Sequence, residues 1–316
     1  MSERHLLADV GGTNTRVGLA DARGLLPDTV RIYENAGFDG LAPLLAAYLC
    51  ETEPGPIDAL CAGVAGPVRD GDAQLTNHDW FIAAADLAAA TGAARVRLIN
   101  DLQAQGYALD DVPPAARVPL FDGAPPPPDA TRLVLGLGTG CNVAVVHQSG
   151  GRLFVPPAES GHSALPHMAD AQASALIRHL AETHPHCPVE AALSGPGLMR
   201  IHRWLGGAAL SSAQIVTAHE QRTDPRATQA LTLFATILGA VAGNLCLHHL
   251  PMGGLYLIGG TARAIAPHLR DLGFAAPFTA RGPYSAIMRD IPVTLIADDT
   301  IALAGCARHL RQTAHA

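Results

Sequence analysis

Hydrophobic and polar positions alternate in short runs from the start of the chain. Leu6 to Val10, Thr15 to Ala20 and Thr29 to Tyr33 read as consecutive strands, with Gly11, Gly12, Thr13 and Asn14 forming a tight turn between the first two. Phe38 to Cys50 has apolar residues at helical spacing, and Ile57 to Val64 is a continuous apolar run of strand length that ends before Gly66-Pro67. Short strands follow around Val68 and over Gln74 to Thr76. Ile82 to Ala90 is Ala-rich and helical in propensity. Val96 to Ile99 is a short buried strand that stops at Asn100-Asp101, where a helix to Leu109 begins. Asp101 therefore stands at a strand's carboxyl end, the edge at which open α/β sheets bind ligands.

Pro113-Pro114 and the run Pro125 to Pro128 interrupt this pattern, which then restarts with a strand at Leu133 to Leu137, a Gly138-Thr139-Gly140 turn and a strand at Cys141 to His147. Laying Asp9 to Asn14 over Leu135 to Gly140 aligns Gly12-Thr13 with Gly138-Thr139, each between two apolar strands. This repeat predicts duplicated α/β halves. Helices are expected at Ala169 to Glu182, Pro196 to Trp204, Ser211 to Glu220 and Arg226 to His249, then a strand at Leu255 to Ile258 and a last strand-helix pair from Pro292 to Leu310. The fold class is α/β.

At 316 residues and 48% hydrophobic, the chain can bury ample core and is expected to form about two domains. It contains no lysine, so all 21 of its cationic side chains are arginines. That excludes a Walker-A phosphate loop, a protein-kinase strand lysine and Schiff-base chemistry. A net charge of -7 without a basic run, and 4% aromatics, argue against a nucleic-acid partner. Only Leu6, Leu7 and Ala8 separate the polar start from Asp9, too few for a signal peptide, so the mature protein is expected to start here. The uncharged stretch Ala227 to Ala262 is broken by Thr232, Thr236, Asn244, His248, His249, Pro251 and two Gly-Gly pairs, and reads as a buried helix and strand rather than a membrane span. Six scattered cysteines without a CxxC pair fit reduced thiols in the cytosol. His184, His186 and Cys187 form the one dense cluster of metal-ligand types, in no HExxH frame.

Three glycine-rich turns carry candidate chemistry. In Asp9 to Thr15, glycines permit close approach to an anion, successive amides can form a phosphate nest, and Asp9 is placed to hold a hydrated Mg²⁺; an ordinary hairpin turn is the alternative. Gly138, Thr139 and Gly140 offer a second such turn. Gly259-Gly260, between a strand and a helix, suits close approach of an adenosine. Asp101, Glu159 and Glu190 lie in Gly- or Pro-punctuated loops; carboxylates there accept hydrogen bonds from adjacent sugar hydroxyls, and Asn100 and His162 can donate or accept. Each acid taken singly also reads as a solvated loop group or a helix cap.

Taken together, DVGGTNT (Asp9 to Thr15), TNHDW (Thr76 to Trp80), INDL (Ile99 to Leu102), GLGTG (Gly136 to Gly140), ESGH (Glu159 to His162), LSGPGL (Leu193 to Leu198) and IGGT (Ile258 to Thr261) resemble, in order and spacing, the bacterial ATP-dependent glucokinase family. The resemblance implies duplicated ribonuclease-H-like domains of the actin, Hsp70 and sugar-kinase type with an interdomain cleft, a small domain of 1–110 with 299–316 and a large one of 111–298. It implies ATP and Mg²⁺ as cofactors, glucose as substrate, a cytoplasmic homodimer, and neither nucleic acid nor membrane as partner. Carried over by position, Asn100, Asp101, Glu159, His162 and Glu190 would bind glucose, with Asp101 the general base. Asp9, Gly11, Gly12, Thr13 and Asn14 match the first phosphate loop, and Gly138, Thr139 and Gly140 the second. The pattern departs from the family at Cys141-Asn142, where an apolar residue and a glycine are expected, and at Ala158 and Ser160, where glycines usually flank the glutamate. Another hexose kinase, for fructose or mannose, and a non-catalytic sugar-binding regulator on the same fold are the alternatives. The zinc-containing sugar kinases carry a Cys-rich loop that is missing here, and a repressor would need a DNA-binding segment ahead of Asp9, where eight residues stand.

Overall fold

The computed structural model describes residues 3–76 and 78–313. The chain divides into two compact units, one of Met1–Val112, Gly150–Pro157 and Asp298–Ala316, the other of Pro113–Ser149 and Ala158–Ala297.

In the first unit, β1 (His5–Val10), β2 (Asn14–Asp21), β3 (Gly24–Glu34), β4 (Ala59–Val64) and β8 (Arg95–Asn100) make a sheet of order β3-β2-β1-β4-β8. The pairs β1/β2 and β2/β3 are antiparallel, and β1/β4 and β4/β8 are parallel. β4 is buried at every position, as its unbroken apolar run requires of a strand covered on both faces. Because successive side chains alternate between faces, Leu6, Ala8 and Val10 join the core that includes Leu44, Leu45 and Leu87 of helices Leu41–Thr52 and Ala84–Thr91. Leu7 and Asp9 thus fall on the other face, where the helices Asp101–Tyr107 and Ile301–Thr313 pack together. A small sheet is added by β5 (Val68–Arg69), β6 (Asp72–Gln74) and β7 (Phe81–Ile82). The helix expected from Ile82 starts at Ala84, because Ile82 pairs with Ala73 and Asp72 Oδ1 accepts a hydrogen bond from the Ala84 amide at 3.0 Å.

The second unit contributes β9 (Arg117–Phe121), β10 (Arg132–Leu137), β11 (Cys141–Ser149), β13 (Leu255–Ile258) and β14 (Val293–Ile296), while the short β12 (Arg152–Phe154) lies in the first. The sheet order within this unit is β11-β10-β13-β14-β9. Its core is built on helix Pro225–His249, N-capped by Asp224. Among the described residues this helix alone is long and apolar enough to cross a membrane, and 72% of its most apolar window is buried, as in a core helix. The expected bounds 111–298 place Gly150–Pro157 in this unit; instead they belong to the first, where Arg152 Nη2 donates to the Gln312 carbonyl at 2.7 Å and Leu153 N to Gln312 Oε1 at 3.2 Å.

The duplication is plain in the strand order: β2-β1-β4-β8 and β11-β10-β13-β14 share an antiparallel-parallel-parallel pattern. The register corrects the alignment drawn from sequence. Val10 pairs with Thr15 across the first turn, whereas Leu137 pairs with Cys141 across the second, so the second loop is one residue shorter. Gly12-Thr13 still matches Gly138-Thr139 counting back from the following strand. On the preceding strand, Asp9 corresponds to Gly136 rather than Leu135.

Candidate active site

Strands β1, β4 and β8 end in register, Val10 beside Val64 beside Asn100. The turn after β1 and the start of helix Asp101–Tyr107 therefore share one carboxyl edge, two strand spacings or about 10 Å apart. Gly11, Gly12 and Thr13 form that turn and Asn14 opens β2. Asn35, fully buried, clasps it: Nδ2 donates to the Gly11 carbonyl at 2.7 Å, its backbone N–H donates to the Thr13 carbonyl at 2.8 Å, and Oδ1 accepts from the Thr15 hydroxyl at 2.8 Å. With the Gly11 carbonyl drawn inward, the planar trans peptide turns the Gly12 N–H outward.

Asp9 lies opposite Arg16 in the hairpin register, and Arg16 Nη1 approaches Asp9 Oδ2 at 3.3 Å. Burial pushes the Asp9 carboxyl above the usual aspartate range, Arg16 draws it back, and Asp299 pushes it up again. No sequence motif singles out an arginine for this site. The hairpin register selects it, since a four-residue loop closed by Val10 and Thr15 puts residue 16 across from residue 9.

Asn100 is the N-cap of the helix that Asp101 begins. Its Oδ1 accepts from the Leu102 amide at 2.9 Å, Gln103 Oε1 accepts from the Asn100 amide at 2.9 Å, and Asn100 Nδ2 donates to the Gly66 carbonyl at 3.3 Å. The cap is thus supplied by Asn100, which is buried. Asp101, half-buried at the first helical position, accepts from the Leu102 amide through Oδ1 at 2.9 Å. In TNHDW, Asn77 lies outside the described residues; the Trp80 carbonyl accepts from the Leu75 amide at 3.0 Å and from Gln74 Nε2 at 3.1 Å.

In the second unit, Gly138, Thr139 and Gly140 join β10 to β11. The Gly138 carbonyl accepts from the Gly195 amide at 2.8 Å and from the Thr261 hydroxyl at 3.1 Å, which turns the Thr139 N–H the other way. The LSGPGL and IGGT motifs are thereby gathered at one turn. Gly259 has φ +104°, and a Cβ on it would collide with the Leu137 carbonyl, so glycine is required for close packing of β13 against the end of β10. Gly260, exposed, begins the helix Gly260–Ile265.

The sugar candidates of this unit stand beside the same turn. Glu190, in helix Val189–Ala192, brings Oε2 to 3.1 Å from where a Cβ on Gly140 would lie. His162 Nδ1 is 3.9 Å from Glu190 Oε1. Ser194 ties Glu190 to the next helix, donating to the Glu190 carbonyl at 2.8 Å and accepting from the Gly197 amide at 3.0 Å. Glu159 precedes a single turn, Ser160–His162, and is exposed. Burial and the neighbouring Glu190 push its carboxyl up, while His162 draws it down. Cys141, buried under the turn and beside Glu190, has its thiol pushed up to about 12, so it stays protonated at neutral pH. Asp9, Gly11, Gly12, Thr13, Asn14, Asn100 and Asp101 are therefore brought to one edge of the first sheet. Gly138, Thr139, Gly140, Gly259, Gly260, Glu159, His162 and Glu190 surround the second turn.

Among the described residues no group of three or more His, Cys, Asp or Glu is arranged to hold a metal ion, His184, His186 and Cys187 included. Asp9 fits a different mode of binding, because Mg²⁺ keeps most of its waters and is shared between one or two carboxylates and substrate phosphates. Its hard oxygen donors, at the end of β1 beside the turn, suit that mode.

The family profile described as Glucokinase matches residues 6–313. A glucokinase-like protein of Xylella fastidiosa is 33% identical, over 96% of this chain and 93% of its own length. The glucokinase of Nostoc punctiforme is 31% identical, over 96% of this chain and 97% of its own. The crystal structure of a glucokinase from an Antarctic psychrotroph superposes with a TM-score of 0.84 at 28% identity, covering 98% of this chain and 99% of that one.

Proposed function

The chain belongs to the glucokinase family, and from that premise we propose that it transfers the γ-phosphoryl group of ATP to the 6-hydroxyl of glucose, giving glucose 6-phosphate and ADP. The observation that carries this reading is the meeting of Glu190, His162 and Glu159 with the Gly138–Gly140 turn, because hydroxyl-gripping groups there adjoin a turn whose amide faces outward. Asn100, Glu159, His162 and Glu190 orient the hexose. Asp101 accepts the proton of the 6-hydroxyl as its oxygen attacks the γ-phosphorus, which becomes linked to the sugar as its bond to the bridging oxygen of ADP breaks.

Phosphoryl transfer asks chiefly for positioning and neutralisation of charge. The outward Gly12 and Thr139 amides supply hydrogen-bond donors to phosphate oxygens, and the Thr13 and Thr139 hydroxyls add to them. Asp9 would hold Mg²⁺, which when bound offsets the charge of the nucleotide phosphates. Arg16 offsets part of the burial penalty on the Asp9 carboxylate, and is the cation by which this lysine-free chain reaches the first turn. The same reading extends to a cytoplasmic homodimer that carries out the first step of glycolysis, with assembly checked by size-exclusion chromatography with light scattering.

A coupled assay of ADP formation with ATP and Mg²⁺ against glucose, fructose, mannose and N-acetylglucosamine tests the activity. Glucose is expected to give the highest kcat/KM; turnover on none of the four would refute the reading, and a better hexose would replace the substrate. Asp101→Asn should lower kcat by about 10²–10⁴-fold with unchanged melting. Near-normal turnover in that variant removes Asp101 from its role as base.

A further inference from the structure

The two places where this sequence leaves the family pattern are separated by 16 to 18 positions and meet in space. Asn142, half-buried on β11 just past the second turn, spends its side chain on the loop that carries Glu159. Its Nδ2 donates to the Ala158 carbonyl at 2.7 Å and to Glu159 Oε2 at 3.1 Å. Its Oδ1 accepts from the Ser160 amide at 3.0 Å and from its own neighbour's amide, Val143, at 2.8 Å. One amide side chain thus binds residues 158, 159 and 160 in succession. The loop is pressed close at the next position as well, since a Cβ on Gly161 would collide with the Cys141 carbonyl.

A glycine at 142 would supply none of the four contacts made by this side chain. Ala158 and Ser160 restrict the loop where flanking glycines would loosen it, and Asn142 provides the partners that such a stiffened loop needs. The carboxylate of Glu159 is otherwise an exposed group on an irregular segment, free to sample several rotamers at a cost in binding entropy.

We propose that Asn142 is a positioning residue for the sugar site: it fixes the Glu159 carboxylate, with Oε2 engaged by its amide, in the orientation that receives the hexose hydroxyls. The inference rests on the glucose-kinase reading above and adds a determinant of hexose selection to it. Asn142 acts through Glu159 and contacts neither reacting atom.

The test measures glucose binding by calorimetry without nucleotide, together with KM for glucose and for ATP and thermal melting, in Asn142→Gly, Asn142→Asp, Glu159→Ala and the double variant Asn142→Gly/Glu159→Ala. Asn142→Gly is expected to weaken glucose binding and raise its KM about tenfold, the order of a lost charge-assisted hydrogen bond, with KM for ATP changed less than twofold. Asn142→Asp keeps the shape and the acceptor oxygens toward Ser160 and Val143 but sets a carboxylate against Glu159. It is expected to lose glucose affinity at least as severely while melting near the parent. In the Glu159→Ala background, Asn142→Gly should weaken glucose no further, the signature of two residues acting as one unit. Equal glucose affinity in Asn142→Gly and the parent, or the same loss in both backgrounds, overturns the proposal alone. A parent protein that binds and phosphorylates no hexose overturns the functional reading and this inference with it.

Discussion

The two glycine turns occupy equivalent places in two copies of one strand pattern, yet they are held and equipped differently. The first is clasped by a single buried residue, Asn35, whose side chain reaches the Gly11 carbonyl and the Thr15 hydroxyl and whose backbone N–H reaches the Thr13 carbonyl from the end of its own sheet. The second is held from outside its hairpin, by the Gly195 amide at the start of one helix and the Thr261 hydroxyl in another. The first carries a carboxylate and its arginine, Asp9 and Arg16; the position matching Asp9 on the second is Gly136, which has no side chain. Duplication has therefore copied the scaffold that turns an amide outward, while the carboxylate proposed to hold Mg²⁺ belongs to one copy. A second carboxylate in place of Gly136 would repel a phosphate at the Gly138–Gly140 turn.

Asn35→Ala carries the largest expected effect, because it strips a fully buried side-chain clasp and leaves the Thr15 hydroxyl and the Gly11 carbonyl without their partner. The cost should be about 2–4 kcal/mol, a fall in Tm of roughly 5–15 °C, with activity lost alongside; differential scanning calorimetry reads it. A stable Asn35→Ala variant with an intact turn would show that the first hairpin holds its shape unaided. Asp9→Asn keeps the size of the side chain and removes its charge. The Mg²⁺ concentration for half-maximal activity should rise about 10–100-fold, as for loss of an outer-sphere metal partner. An unaltered Mg²⁺ titration would erase the asymmetry between the two turns. Thr261→Val should be mildest, since the Gly195 amide still holds the Gly138 carbonyl: KM for ATP is expected to rise about 3–10-fold, with Thr261→Ser restoring most of it. A shift in KM for glucose instead would assign Thr261 to the sugar side.

Much of this was legible along the chain because it depends on short-range patterns. The apolar runs of β1, β4, β8, β10 and β13 stand where periodicity placed them, and the glycine turns announce themselves between strands. The strand Arg117–Phe121 was invisible, since Pro119 denies it the signal of a strand and it sits at the sheet's edge beside β14, where a proline is tolerated. The short helices Ala275–Thr279 and Ser285–Asp290 lack enough turns for a period to show.

Within the candidate site, residue types and spacing by themselves determined which groups to suspect: Asp9 and the two turns for phosphate, and Asn100, Asp101, Glu159, His162 and Glu190 for a sugar. The absence of lysine also determined that any cation must be an arginine. Which arginine, and which neutral side chains hold the site in shape, was decided only by the tertiary structure. Arg16 is selected by cross-strand register, Asn35 by a hydrogen bond across 24 positions, Thr261 by one across 123, and Asn142 by contacts across 16 to 18. The physical reason is that a short polar side chain has no pattern of its own. Its role is set by the partner that folding brings within about 3 Å, and that distance is unrelated to separation along the chain.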